Sequence, residues 1–119
     1  MSGIEVWAEL TVAEGKAAEF KESAAALAAA VKAEEPGTIA YQWYFNEDTM
    51  KCHVSERYAS AEAQASHGRG ETVRPLFAKV FSVCSLSRIE SHGDIPDAAR
   101  ERMTAQGRPF YPTLTGFTR

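Results

Sequence analysis

The sequence predicts an α+β domain of ferredoxin-like βαββαβ order, a four-stranded antiparallel sheet with helices on one face, followed by a C-terminal helix and tail. Three observations carry this. Four short stretches alternate apolar with polar residues or are rich in β-branched and aromatic ones, as strands are. Two longer stretches repeat apolar residues at three- and four-residue spacing, as half-buried helices do. Their order along the chain, combined with right-handed crossovers, gives strand order 4-1-3-2.

In the first strand Ile4, Val6, Ala8 and Leu10 alternate with Glu5, Trp7 and Glu9. One face is strongly apolar, and Trp7 on the other calls for apolar cover of its own. Thr11 and Glu14 have capping-box spacing, and a helical stripe of Ala17, Phe20, Ala24, Leu27, Ala28 and Val31 ends before Pro36-Gly37. Alanine at so many inward positions lets the helix lie close to the sheet or leaves space beside it. Thr38 to Asn46 and Lys51 to Tyr58 flank the polar turn Asn46-Glu47-Asp48-Thr49-Met50 and should pair as a hairpin. Ser60 can cap a brief helix that ends at His67, before Gly68 and Gly70.

Thr72 is placed to cap a further helix, with Pro75 in its first turn and Val73, Leu76, Phe77, Val80, Phe81 and Cys84 on one face. The fourth strand, Ser85 to His92, sets Leu86 and Arg88 against Ser87 and Ile89 and closes at Gly93-Asp94. Pro96 opens a helix to Gln106, Gly107 caps it, and the aromatic tail from Pro109 to Arg119 should dock on the domain or on a partner chain. The expected organisation is a domain over residues 1–93, with a helix and docking tail of the same domain over 94–119.

At 119 residues the chain suits one core. A net charge of −3 without clustered Lys or Arg argues against nucleic acid as a partner. No apolar run approaches the ~20 residues of a membrane span, and Met-Ser-Gly-Ile-Glu lacks the features of a signal peptide, so a cytoplasmic protein is expected. Cys52 and Cys84 open strands three and four, which strand one separates. Their α-carbons should lie roughly 9 to 10 Å apart, beyond the ~7 Å limit of a disulfide. His53, His67 and His92 fall on separate elements without HxxxH spacing, so no metal site is expected, and no GxGxxG, GxSxG or P-loop is present.

Pro36-Gly37-Thr38-Ile39-Ala40-Tyr41, then Glu56-Arg57-Tyr58, then Ser60-Ala61-Glu62-Ala63 and His67 resemble the antibiotic biosynthesis monooxygenase-like domains of the dimeric α/β-barrel superfamily. The closing Gly116-Phe117-Thr118-Arg119 is similar to the ends of some members. The resemblance implies a homodimer packed sheet on sheet, consistent with the stranded Trp7. It also implies oxidation of an aromatic phenol or hydroquinone by O2 with no cofactor, neither metal nor flavin. The haem-degrading branch uses an asparagine, a tryptophan and a ligating histidine at positions that correspond here to Ala8, His67 and Phe77, so the resemblance argues against haem degradation.

Within that frame His67 is the expected catalytic base, since an imidazole beside a flexible loop can take a phenolic proton. Tyr41, Trp43, Glu56, Tyr58, Phe77 and Phe81 are the expected substrate-binding residues, a small aromatic molecule wanting flat apolar walls with few polar anchors. Which face of the second strand meets the helices stays open: Tyr41, Trp43 and Phe45 share one, Gln42 and Tyr44 the other. An inward Glu56 needs a partner, on the strand beside Arg57 or at Arg88. Set against these roles are structural ones: core rings, an ion pair, and a histidine closing a helix end. The alternative function is a non-catalytic dimeric small-molecule-binding or stress-related module of the same fold.

Overall fold

A computed structural model describes residues 3–119. Strand β1 (Ile4–Val12) lies at the centre of the sheet, because its alternation lets Ile4, Val6, Leu10 and Val12 pack inward while both edges pair. The hairpin of β2 (Thr38–Asn46) and β3 (Lys51–Tyr58) joins one edge, and β4 (Cys84–Gly93) the other, all antiparallel. The four-stranded order is the one expected. One strand was not anticipated: β5 (Phe110–Pro112) extends the sheet parallel to β4, giving β2-β3-β1-β4-β5.

Helix α1 (Ala17–Glu34) buries Phe20, Ala24, Leu27 and Val31 against that sheet, and α3 (Val73–Phe81) buries Val73 and Val80 beside it. With Leu10, Val12, Cys52, Val54 and Val83 these residues form the main core. The short α2 (Ala61–Ser66) lies between them in the chain. Helix α4 (Asp97–Ala105) covers the other end of the same sheet face, where Ala99 and Met103 close over Ile4, Val6 and Tyr58. No helix is long and apolar enough to cross a membrane among the described residues.

Ser60 caps α2 as expected, accepting from the Ala63 amide at 3.1 Å. Gly107 takes the left-handed φ of 67° expected at the end of α4, whereas the N-terminal caps expected from Thr11 and Thr72 do not form. Helix α1 starts at Ala17 with no side-chain cap, because β1 runs on to Val12 and the Thr11 hydroxyl is taken by the Lys51 ammonium at 2.7 Å and by Ser87. Thr72 already has helical backbone angles, which turn its hydroxyl away from the cap position. The parity expected for β4 also fails: a bulge opposite Glu9 and Leu10 puts Arg88 across from Glu9 but Leu86 across from Leu10, so the two face opposite ways. Both cysteines are free, on opposite sides of β1. Phe110 docks on the domain as the aromatic tail was expected to, and Leu114 and Phe117 are exposed on this single chain.

Candidate functional site

The site forms where the end of α1 turns into β2. Glu35 caps that helix end, its amide donating to the Val31 carbonyl at 2.9 Å. Pro36-Gly37 then reverses the chain into the sheet. A Cβ on Gly37 would lie 2.7 Å from the Ala63 side chain, so only glycine allows α2 to settle on this turn. That close approach carries His67, at the end of α2, onto Glu35.

The contact is specific. His67 Nδ1 lies 2.7 Å from Glu35 Oε1, the Gly68 amide donates to Glu35 Oε2 at 2.9 Å, and the Thr38 hydroxyl donates to Oε1 at 2.9 Å. Gly68 takes a left-handed φ of 79°, which aims its amide back at the carboxylate. Burial works to raise the Glu35 pKa, but the Gly68 amide, His67 and Thr38 outweigh it and hold the carboxyl below its ordinary value. In the neutral tautomer with its proton on Nδ1, the ring donates to Glu35 and carries its lone pair on Nε2.

That nitrogen is enclosed. The His67 side chain is only 10% exposed, and Nε2 has no hydrogen-bond partner among the described residues. Tyr41, Tyr58 and Phe77 surround the ring at centroid distances of 5.1, 5.4 and 5.5 Å. Glu56 Oε1 stands 3.8 Å from Nε2 and accepts from the Tyr58 hydroxyl. Burial pushes the Glu56 pKa up, opposite to Glu35, and pushes both the Tyr41 and Tyr58 hydroxyls well above the phenol range, with the Glu56 charge adding to each. The two carboxyls are thus pushed in opposite directions, Glu35 toward its charged form and Glu56 toward its protonated one, as acid and base groups sharing a site are.

Two openings flank this cluster. A cleft of about 660 Å³ runs past Glu35, Gly37 and Ala63 to the Arg69-Gly70 loop. A second cavity, about 300 Å³, lies between α1 and the hairpin, floored by Tyr41, Trp43, Phe45 and Cys52 and roofed by Phe20, Ala24, Ala25 and Ala28. The alanines of α1 therefore do leave space beside the sheet. Burial raises the Cys52 thiol to about 11, so it stays an uncharged apolar wall at neutral pH.

Of the residues expected to form a site, His67, Tyr41, Glu56, Tyr58 and Phe77 come together, and Trp43 joins them through Tyr41 at 5.5 Å. Phe81 lies apart, 37% exposed and stacked on Phe77, and of the expected residues Tyr41 and Trp43 alone line one of these two openings. Arg88, one partner expected for Glu56, pairs with Glu90 instead, and Tyr58 and His67 flank Glu56. The sequence reading missed Glu35, Phe20 and the role of Ala25. Glu35 gave one usable signal, an acidic residue immediately before a Pro-Gly turn that the fold brings to the first strand of the hairpin.

The family model for antibiotic biosynthesis monooxygenase matches residues 3–79. No curated protein sequence matches the chain. Among solved structures, MupZ from Pseudomonas fluorescens superposes with a TM-score of 0.82 at 22% identity, over 100% of this chain and 96% of that one. A Caulobacter crescentus protein provisionally assigned as an antibiotic biosynthesis monooxygenase has a TM-score of 0.68 at 35% identity, over 76% of this chain and 87% of that one. A conserved Methanosarcina mazei protein has a TM-score of 0.64 at 21% identity, over 76% and 91%. The low-identity likenesses speak for the fold alone, and the MupZ likeness extends it through α4 and β5. With the family model spanning most of β1 to α3 and the Caulobacter protein alike at 35% identity, this chain belongs to the antibiotic biosynthesis monooxygenase family.

Proposed function

We propose that the chain oxidises an aromatic phenol or hydroquinone with O2 and no cofactor, in the cytoplasm, with His67 as the base. The observation that carries this reading is the His67 ring itself: Nδ1 held by a charged carboxylate, Nε2 buried and unpartnered among aromatic rings. Glu35 is a positioning residue that sets the tautomer and steadies the imidazolium once a proton arrives. For a phenol, Nε2 takes the hydroxyl proton and the electron-rich anion reacts with O2 at the opposite ring carbon. One oxygen atom stays on that carbon as the new carbonyl. The other leaves as water with the two hydrogens lost from the ring and hydroxyl, so phenol and O2 become quinone and water.

Oxygen uptake by metal-free protein tests this, using naphthohydroquinones, anthrones and catechols with protein-free controls for autoxidation. Uptake above the controls is expected. Uptake no faster than the controls across the panel would favour the non-catalytic binding module instead.

The second subunit belongs to the same reading. Trp7 is 52% exposed, Tyr44 61% and Tyr111 51%, all on the sheet face away from the helices. The pairs Glu9–His53, Glu5–Arg57 and Glu90–Arg88 lie among them. Rings ringed by charges fit a second copy packed sheet on sheet. Trp7→Glu is expected to convert dimer to monomer in sedimentation; an intact dimer would move the interface elsewhere.

A further inference from the structure

His67 lines neither opening, and its Nε2 is fully buried. Tyr41, Tyr58 and Phe77 pack around the ring, and Glu56 stands 3.8 Å from Nε2. A hydroxyl meets this nitrogen only when one of the walls moves. The walls are unequal. Tyr41 and Tyr58 sit on paired strands, and Phe77 sits on α3, which is anchored by Val73 and Val80 in the main core. Helix α2, by contrast, buries no residue fully, and Ala61 and Ala63 only partly pack on the cluster beneath α4. Segments with so few buried apolar contacts open locally at less cost than the whole fold.

What holds α2 down is specific. Beyond its own turns, the stretch from Ala61 to Gly68 is tied by the His67 ring and the Gly68 amide to Glu35, and by Arg102 to the Gln64 side chain at 3.3 Å. Two of these bonds end on one carboxylate, which Thr38 fixes from the side of β2. Upstream the chain is pinned where the Ala59 amide donates to the Gly37 carbonyl at 2.9 Å. Downstream lie Gly68, with its left-handed φ of 79°, and Gly70, where a Cβ would meet nothing within 4 Å. Such residues can absorb the backbone rotation of a hinge. The 660 Å³ cleft runs along the join, lined by Glu35 on one element and by Ala63, Ser66 and Arg69 on the other, so parting the two extends it to His67.

We propose that residues 61–70 form a hinged strap that carries the base, closed in the form described here, and that Glu35 is its latch, so that the substrate enters from the cleft when the strap lifts. The inference rests on the reading of His67 as the base. Because His67 rides on the strap, closure brings the base to a substrate that has already entered. Re-forming the Glu35–Nδ1 contact then restores the tautomer with its lone pair on Nε2, so one carboxylate couples closure to readiness of the base.

Amide hydrogen exchange of the wild-type protein, followed by NMR at several guanidinium concentrations below the unfolding transition, tests this. The His67 and Gly68 amides are expected to exchange at least about tenfold faster than those of β1, with little dependence on denaturant, as a local opening does. Glu35→Gln should speed the Gly68 amide by a further five- to tenfold or about that, since hydrogen bonds to a charged group are roughly twice as strong as neutral ones. Gly68 and β1 amides sharing one rate and one denaturant slope would overturn the strap, and Gly68 exchange unchanged in Glu35→Gln would overturn the latch. The first comparison needs no variant, so it stands even where Glu35→Gln folds poorly. His67-dependent oxygen uptake in a protein whose α2 opens only with the whole fold removes the strap and leaves the base. Separate opening of α2 without uptake upholds the strap and removes the base.

Discussion

His67→Gln should lower kcat for oxygen uptake by about 10²- to 10⁴-fold, the usual contribution of a positioned general base, with KM little changed. Glutamine is the informative substitution because its amide can still donate to Glu35 and fill much of the ring's volume, yet it offers no basic nitrogen. Alanine would confound the result. From sequence alone, His67→Ala looks harmless to stability; the structure shows a ring 10% exposed, packed on Tyr41, Tyr58 and Phe77. Its removal opens a cavity and strands the Glu35 carboxylate, at a cost of about 2 kcal/mol or more. A His67→Gln protein with wild-type melting temperature and wild-type turnover would show that the buried imidazole is only structural.

The fold was legible because its signals are local. The period-two pattern of β1, the stripe of α1 and the polar turn after Asn46 each name an element, and chirality leaves few ways to join them. The failures share a cause. The β4 bulge, the β5 pairing and the unused caps at Thr11 and Thr72 depend on which distant strand claims a backbone or hydroxyl group, and no short window of sequence holds that information. The site divides the same way. His67 and the strand aromatics were visible from residue type and resemblance, whereas Glu35 became visible only when the Gly37–Ala63 contact placed α2 over the end of α1. The parity of β2, left open by two aromatic faces, is settled by the Phe20 ring, which lies 6.1 Å from Trp43 and 5.2 Å from Phe45.

Glu56→Gln should make the protein more stable at neutral pH, raising the melting temperature by about 3 to 8 °C if the gain is near 1 kcal/mol. The direction follows from linkage. Burial holds the folded-state pKa of Glu56 above the value of 4.5 that applies in the unfolded chain. Between the two values the native state keeps a proton that the unfolded state has lost, so stability falls as pH rises through that window and stays lower above it. Glutamine cannot ionise, and its carbonyl can still accept from Tyr58, so the variant escapes that fall. Below pH 4.5 the advantage should vanish. Glu35 behaves oppositely: its lowered pKa contributes stability above 4.5 that is lost as pH falls through the folded-state value. Glu35→Gln should therefore destabilise at pH 7, and the deficit should narrow in acid. Melting curves of both variants from pH 4 to 8 separate the two signs. A carboxyl that costs stability at neutral pH while standing 3.8 Å from the base matches the strain that active sites carry, so a stabilised Glu56→Gln protein should also take up oxygen more slowly. A variant that melts lower at pH 7 would instead make Glu56 a paired structural carboxylate.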